Sequence, residues 1–275
     1  MSIFLKKLRK LSLLKQALFL WFLRPYFGFI QGHAYLIEEE LSELKRQVGQ
    51  YSEKTIVEFE SRYANLIGDG QAVSFASGRM GFFALMRVIG VEPGDEVILP
   101  GATCSVMANA ILRVGATPIY ADIDPNTFGS CAQAVKKVIT PKTRLIVAQH
   151  SFGIPCDIKP IVELAHSKEI FLLEDCALTL SSTVCGKTIG NFGDAALFST
   201  DHSKPINTLT GGLVYTRNNS LAALLRKKQQ NSQELSKQKQ SALWNQLLLE
   251  RRLCRPEKYG QMILIDILTS TLKRR

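Results

Sequence analysis

Lys204 is the residue around which chemistry can be built. It lies in a polar loop, Ser199-Thr200-Asp201-His202-Ser203-Lys204, between two apolar runs, Ala195 to Phe198 and Leu213 to Tyr215. Asn207, Thr208, Thr210 and the pair Gly211-Gly212 complete the loop. Hydroxyls and glycines around a lysine suit two tasks. The ammonium can neutralise a phosphate, or the free amine can condense with an aldehyde. Upstream, Ile170-Phe171-Leu172-Leu173-Glu174 is an apolar run that ends in an acid and is followed by Asp175.

The plain alternative for Lys204 is a surface lysine, and the upstream acid argues against it. In an open α/β sheet, ligands bind beyond the carboxyl ends of the strands. An acid at one such end and a lysine beyond a later strand match what pyridoxal phosphate needs: lysine on the aldehyde, carboxylate on the ring nitrogen. The carboxylate keeps that nitrogen protonated, so the ring can take up electrons from a carbanion. A second turn suits the phosphate. Ala72 to Phe75 is a short strand, followed by Ser77-Gly78-Arg79 and a helical run to Ile89. Small residues at a strand-to-helix turn leave backbone N–H groups facing a ligand, and the helix dipole favours an anion there. An ordinary βα turn is the other reading of those residues.

These residues need a scaffold that brings them together, and the pattern supplies one. Residues 38–66 have helical spacing, with Leu41, Leu44 and Val48 on one stripe. Val91 to Pro100 is a Pro-Gly turn into a strand, and a helix is expected within Gly101 to Ile111. Ala116 to Asp124 reads as a strand with Asp122 and Asp124 at its end, and Cys131 to Val138 as a helix. Leu145 to Ala148 is a strand that ends at Gln149-His150; Asp157 is expected to cap a helix over Ile158 to His166. His150 could line a pocket or serve a structural hydrogen bond. Strands alternating with helices predict an α/β fold of three layers around a mostly parallel sheet. Ser77, Asp175 and Lys204 would then share one edge.

Several blocks resemble the DegT/DnrJ/EryC1/StrS family, sugar aminotransferases of the fold type I pyridoxal phosphate class. Phe198-Ser199, four residues, Lys204 and then Thr210-Gly211-Gly212 match the family's active loop. Val91 to Pro100 (VEPGDEVILP) matches a second block, and Ile56 to Ile67 resembles the helix before the first large-domain strand. The resemblance covers roughly residues 50 to 218. It implies that Lys204 and Asp175 are catalytic and that Ser77, Gly78 and Ser199 lie at the cofactor phosphate, with Arg79 either adding a cationic contact there or pointing away. It puts Cys104 where an aromatic usually stacks on the ring. It implies an amino donor, usually glutamate, a nucleotide-linked keto-sugar acceptor and a homodimer. Asp122 and Asp124 become turn residues. Three positions depart from the pattern: Arg79 for a small hydroxyl residue, Cys104 for the aromatic, and Leu178 for a Gln or His after the acid. Retention of lysine favours amino transfer over dehydration. A degenerate, non-catalytic member acting as a scaffold is the rival reading, as is a fragment.

Three regions follow: a basic, apolar helical segment at 1–50, the cofactor-binding domain at 51–216, and a basic helical tail at 217–275. The net charge of +10 sits at the ends. Residues 1–30 carry Lys6, Lys7, Arg9, Lys10, Lys15 and Arg24 and no acid. Residues 217–275 hold thirteen Lys and Arg against Glu234, Glu250, Glu257 and Asp266. The remainder is therefore acidic. Leu11 to Ile30 is interrupted by Lys15, Arg24 and Pro25, too broken to span a bilayer core of about 30 Å. A helix lying in an anionic membrane interface fits it, as does one packed on protein. The expected location is cytoplasmic, at most peripheral on the inner membrane face. The six cysteines, without a C-x-x-C pair, read as reduced thiols. No metal cluster or nucleic-acid motif is visible.

Overall fold

A computed structural model describes residues 38–46, 52–201, 203–208 and 210–253. The apolar segment at 1–30, His202 and the tail beyond 253 lie outside the described residues. In chain order, the elements begin with α1 (Glu38–Arg46), α2 (Glu53–Ile67), β1 (Gln71–Phe75), α3 (Gly78–Val88) and β2 (Glu96–Pro100). Then come α4 (Ser105–Val114), β3 (Thr117–Ala121), α5 (Ala132–Val138), β4 (Thr143–Gln149), α6 (Ile158–Ser167) and β5 (Phe171–Asp175). The hairpin β6 (Thr183–Val184) and β7 (Lys187–Thr188), the pair β8 (Ala195–Ser199) and β9 (Gly212–Thr216), and helices α7 (Asn219–Gln230) and α8 (Lys237–Leu253) complete it. The described residues fall into two compact units. The larger comprises 52–234, and the smaller pairs α1 with α8.

The larger unit is an α/β domain whose seven-stranded sheet runs β1-β9-β8-β5-β4-β2-β3. Strands β3, β2, β4, β5 and β8 are parallel neighbours, while β9 runs antiparallel to both β8 and β1. A parallel strand covered on both faces reads as a continuous apolar run, as in Leu145 to Ala148 and Ala195 to Phe198. On one face, Phe82, Leu85 and Met86 of α3, Ile111 of α4 and Leu225 of α7 pack on Leu99, Val147, Leu173, Leu197 and Val214. On the other, Ile158, Ile161 and Ala165 of α6 cover Ile98, Ile146, Ala148 and Leu172. Tyr63, Ala64 and Ile67 of α2 cover Ala196, Phe198 and Leu213.

Local chemistry sets the helix ends. Ser77 caps α3, its Oγ accepting from Met80 N at 3.2 Å. Asn218 caps α7 in the same way, its Oδ1 accepting from Leu221 N at 3.1 Å. Asp157 stands at the N-cap of α6 but makes no side-chain cap bond, so the expected cap is one of position only. Asp124 is a turn residue as read: its Oδ1 accepts from Asn126 N at 2.7 Å.

Helix α7 belongs to the larger unit, so packing continues past residue 216, where the tail was expected to start. The reason is a buried acid. Glu60 of α2 accepts from Arg226 Nη2 at 2.6 Å and Nη1 at 3.0 Å, and from Ser74 N and Oγ at 2.7 Å. Gln229 adds a bond to Ser74 O at 2.7 Å. One carboxylate thus ties α2, β1 and α7 together.

Candidate active site

Strands β5 and β8 deliver the acid and the lysine to one edge. They are parallel neighbours, with Asp175 opposite Leu197. Side chains alternate along a strand, so Ser199, two residues on, shares the face of Leu197 and Asp175. Beyond β8 the chain forms a closed loop. Thr200 N donates to Gly211 O at 3.0 Å, and Thr208 N returns to Thr200 O at 2.9 Å. Thr208 Oγ1 donates to Thr200 Oγ1 at 2.7 Å, and Thr210 Oγ1 to Ala76 O at 2.7 Å. Lys204 sits within that loop on a turn, its N–H donating to Asp201 O at 3.0 Å. It is half-buried and takes part in none of the ion pairs of the described residues.

Asp175 is buried, and burial pushes its carboxyl above the usual carboxylate range. Two effects oppose this: the Ala177 N–H donating to Oδ1 at 3.0 Å and the charge of Lys204.

The start of α3 closes on the same loop. Ser77 bridges to Gly211. A Cβ on Gly212 would stand 2.3 Å from Gly78 N and 2.7 Å from Phe198 O, so only glycine lets the helix N-terminus approach β9 this closely. A Cβ on Gly78 would make ordinary contacts of 3.4 Å with Phe198 O and Ser199 Cβ. Ser77, Gly78 and Ser199 thus meet where the helix dipole favours an anion. Arg79 is exposed on the first turn of α3.

The residue before Asp175 was not singled out in the sequence, yet it is the better bonded of the two acids. Glu174 is fully buried and accepts from Gly190 N at 2.8 Å, Phe192 N at 2.6 Å and Gly193 N at 2.8 Å. His150 adds a fourth contact, its Nε2 lying 3.2 Å from Glu174 Oε2. Cys156 N donates to His150 Nδ1 at 3.2 Å, so the ring hydrogen sits on Nε2 and points to the carboxylate. Of the two roles weighed for His150, the structural one holds. His150, Glu174 and Cys176 also bring potential metal-ligand atoms within 4.8 Å of one another. The carboxylate oxygens already accept from three backbone amides and face His150 Nε2, so Glu174 ties the 190–193 turn and the end of β4 to β5. A pattern of donors converging from Gly190 to Gly193 has no local signature in the sequence.

Two of the expected site positions bring little chemistry. Cys104 is an exposed thiol at the N-cap of α4, on the same carboxyl edge, and offers no aromatic face. Leu178 is half-buried beyond Asp175 and offers no polar atom. The loop before α4 has an unexpected feature instead. Thr103 Oγ1 is buried and has no hydrogen-bond partner. Gln149, beside Asp175 in the β4–β5 register, donates from Nε2 to Ala102 O at 2.9 Å and so fastens that loop.

Comparisons with known proteins bear on the family and the fold. The family model described as "DegT/DnrJ/EryC1/StrS aminotransferase family" matches residues 36–248. GDP-perosamine synthase of Caulobacter vibrioides is 38% identical over 171 residues, 62% of this chain and 46% of that protein. The spore coat polysaccharide biosynthesis protein SpsC of Bacillus subtilis is 36% identical over 171 residues, 62% of this chain and 44% of its own length. The chain thus spans about half the length of the curated relatives it matches. Among solved structures, the aminotransferase TlmJ from Streptoalloteichus hindustanus superposes with a TM-score of 0.66 and 30% identity, over 78% of this chain and 64% of that one.

Proposed function

The chain belongs to the DegT/DnrJ/EryC1/StrS aminotransferase family, and from that premise we propose that it transfers an amino group to a nucleotide-linked keto sugar with pyridoxal phosphate as cofactor. What supports the reading is that β5 and β8 bring Asp175 and the loop carrying Lys204 to one sheet edge, with the lysine's charge acting against the raised Asp175 carboxyl. The site residues fit the cofactor. A buried carboxylate suits a pyridinium, and an unpaired lysine suits an aldehyde. The N-terminus of α3, where Ser77 and Gly78 lie beside Ser199, suits a phosphate. The relatives named above act in sugar and polysaccharide biosynthesis, which supports the substrate class.

When bound, the cofactor supplies an electron-accepting ring. Asp175 would hold the proton on its ring nitrogen. Lys204 Nζ would hold its aldehyde carbon and, once displaced by the donor's amine, carry a proton between the two carbons that exchange it. Ser77, Gly78, Arg79 and Ser199 would grip the phosphate, with the α3 dipole adding to their hold. Glutamate is the proposed donor and a homodimer the proposed assembly. Residues 1–30 are the proposed contact with anionic membrane, from the cytoplasmic side. Among the described residues, no helix is long and apolar enough to cross a membrane.

Adding pyridoxal phosphate to the purified protein should produce a protein-bound visible band that Lys204→Ala abolishes. A protein that stays colourless refutes the reading. Cys104 and Leu178 favour one rival: a member that keeps the cofactor without turnover. Its mark would be a visible band that no amino donor discharges.

A further inference from the structure

We propose that the outer surface of α4, α3 and α7 is a docking face for anionic lipid headgroups. This is a property of the folded domain and does not rest on the contact proposed for residues 1–30. The three helices form one layer: α3 packs against both α4 and α7, and Phe82, Ile111 and Leu225 turn inward to the sheet. What they turn outward is basic and apolar. Arg79 and Arg87 of α3, Arg113 of α4, and Lys227 and Lys228 of α7 are exposed. None of the five takes part in an ion pair of the described residues. Met80, Leu112 and Leu224 share those outward faces and are 46%, 60% and 52% exposed.

The second observation is the absence of acid. Helices α3, α4 and α7 contain no Asp or Glu. Helix dipoles alone would account for cations in the last turns, where Arg87, Arg113, Lys227 and Lys228 lie. The same dipoles favour acids in the first turns, and none of the three has one. On the other face of the sheet the charges are mixed. Lys54 and Arg62 of α2 stand with Glu53 and Glu58, and Lys159 of α6 with Glu163. Glu92, the next acid along the chain after α3, lies past its C-terminus at the rim. Residues 52–234 hold as many acids as Lys and Arg, so the acid-free layer is a local asymmetry in a balanced domain.

Cations with apolar side chains among them suit the boundary of an anionic bilayer. Guanidinium and ammonium groups meet the headgroups, and the apolar side chains meet the acyl boundary. A nucleic-acid backbone would satisfy the cations but leave Met80, Leu112 and Leu224 without an apolar partner.

The experiment sediments the full chain with phosphatidylcholine vesicles, with and without phosphatidylserine. Wild type should bind only the anionic vesicles. Arg87→Gln/Arg113→Gln/Lys227→Gln/Lys228→Gln should weaken that binding about tenfold or more, and each half of it, made separately, should give an intermediate loss. Leu112→Ser/Leu224→Ser should weaken it too. Arg79 is kept because it borders the proposed phosphate cradle. A charge-matched variant of the other face, Lys136→Gln/Lys137→Gln/Lys159→Gln/Lys168→Gln, should bind as wild type. All these substitutions are at exposed positions, so melting temperatures should stay near that of wild type. Equal losses in the two quadruple variants would reduce the effect to net charge and overturn the proposal. So would wild-type binding to a DNA duplex in place of the vesicles, or a change of oligomeric state in the first variant, which would assign the face to a second copy. Should Lys6→Gln/Lys7→Gln/Lys10→Gln abolish binding while the face variant binds as wild type, residues 1–30 are the whole contact and this inference falls.

Discussion

Glu174 and Asp175 are adjacent carboxylates that face opposite sides of one strand. Glu174 turns to the face covered by α2 and α6, where three backbone amides and His150 surround it. Asp175 turns to the face of Leu197 and Gln149, at the edge where Lys204 acts on it. The alternation of a β-strand divides an acidic pair into an anchor and a site residue.

That division predicts opposite effects on stability. Glu174→Ala leaves three amides unpaired and should destabilise the ligand-free protein by about 3 kcal/mol or more, read from urea unfolding. Asp175→Asn should not destabilise it. Burial raises the Asp175 carboxyl in the folded state, so the folded state binds its proton more tightly than the unfolded chain does. Its contribution is present below the unfolded value and is lost as pH rises through the folded one. At neutral pH the Asn variant should therefore melt at or above wild type, and its stability should fall less between acid and neutral pH. An Asn variant that melts well below wild type contradicts the assignment.

The anchor of α7 can be tested by a double-mutant cycle. Glu60 is buried while the Arg226 side chain is 34% exposed, so the two single variants should differ. Glu60→Leu strands Ser74 N and the guanidinium and should cost about 3 kcal/mol. Arg226→Met leaves an acid still bonded to Ser74 and Gln229 and should cost less, about 1–2 kcal/mol. The pair together should cost less than the two singles combined, a coupling that urea unfolding of all four proteins measures.

The two glycines at the α3 terminus separate folding from binding. Gly212→Ala drives a methyl into the backbone of Gly78 and Phe198, which cannot move aside, and should cost several kcal/mol, roughly the overpacking penalty. Gly78→Ala meets only ordinary contacts and should fold. Its methyl lies over Ser199, in the proposed phosphate cradle, so cofactor affinity should fall about tenfold or more. Equilibrium dialysis and thermal melting of both variants distinguish the effects.

Much of this was legible in the sequence because it is local. Continuous apolar runs marked β4, β5 and β8, small residues marked the turn into α3, and the Lys204 loop carried its own pattern. What stayed hidden depends on partners distant in the chain. Glu174 and Glu60 look like any strand-end or helix acid until residues 190–193 and Arg226 fold against them. Gln149 reads as the polar end of a strand, and only the register with β5 sets it beside Asp175. The Asp157 cap failed for the converse reason: residue type and position were right, but cap bonding needs a side-chain geometry that position alone does not ensure.

The most direct test of the central claim is borohydride reduction of the protein mixed with pyridoxal phosphate, followed by digestion and mass analysis. The account predicts one pyridoxyl group, on the peptide carrying Lys204, with loading sharply reduced in Asp175→Asn. Label spread over surface lysines such as Lys227 and Lys228, with Lys204 unmodified, would contradict it.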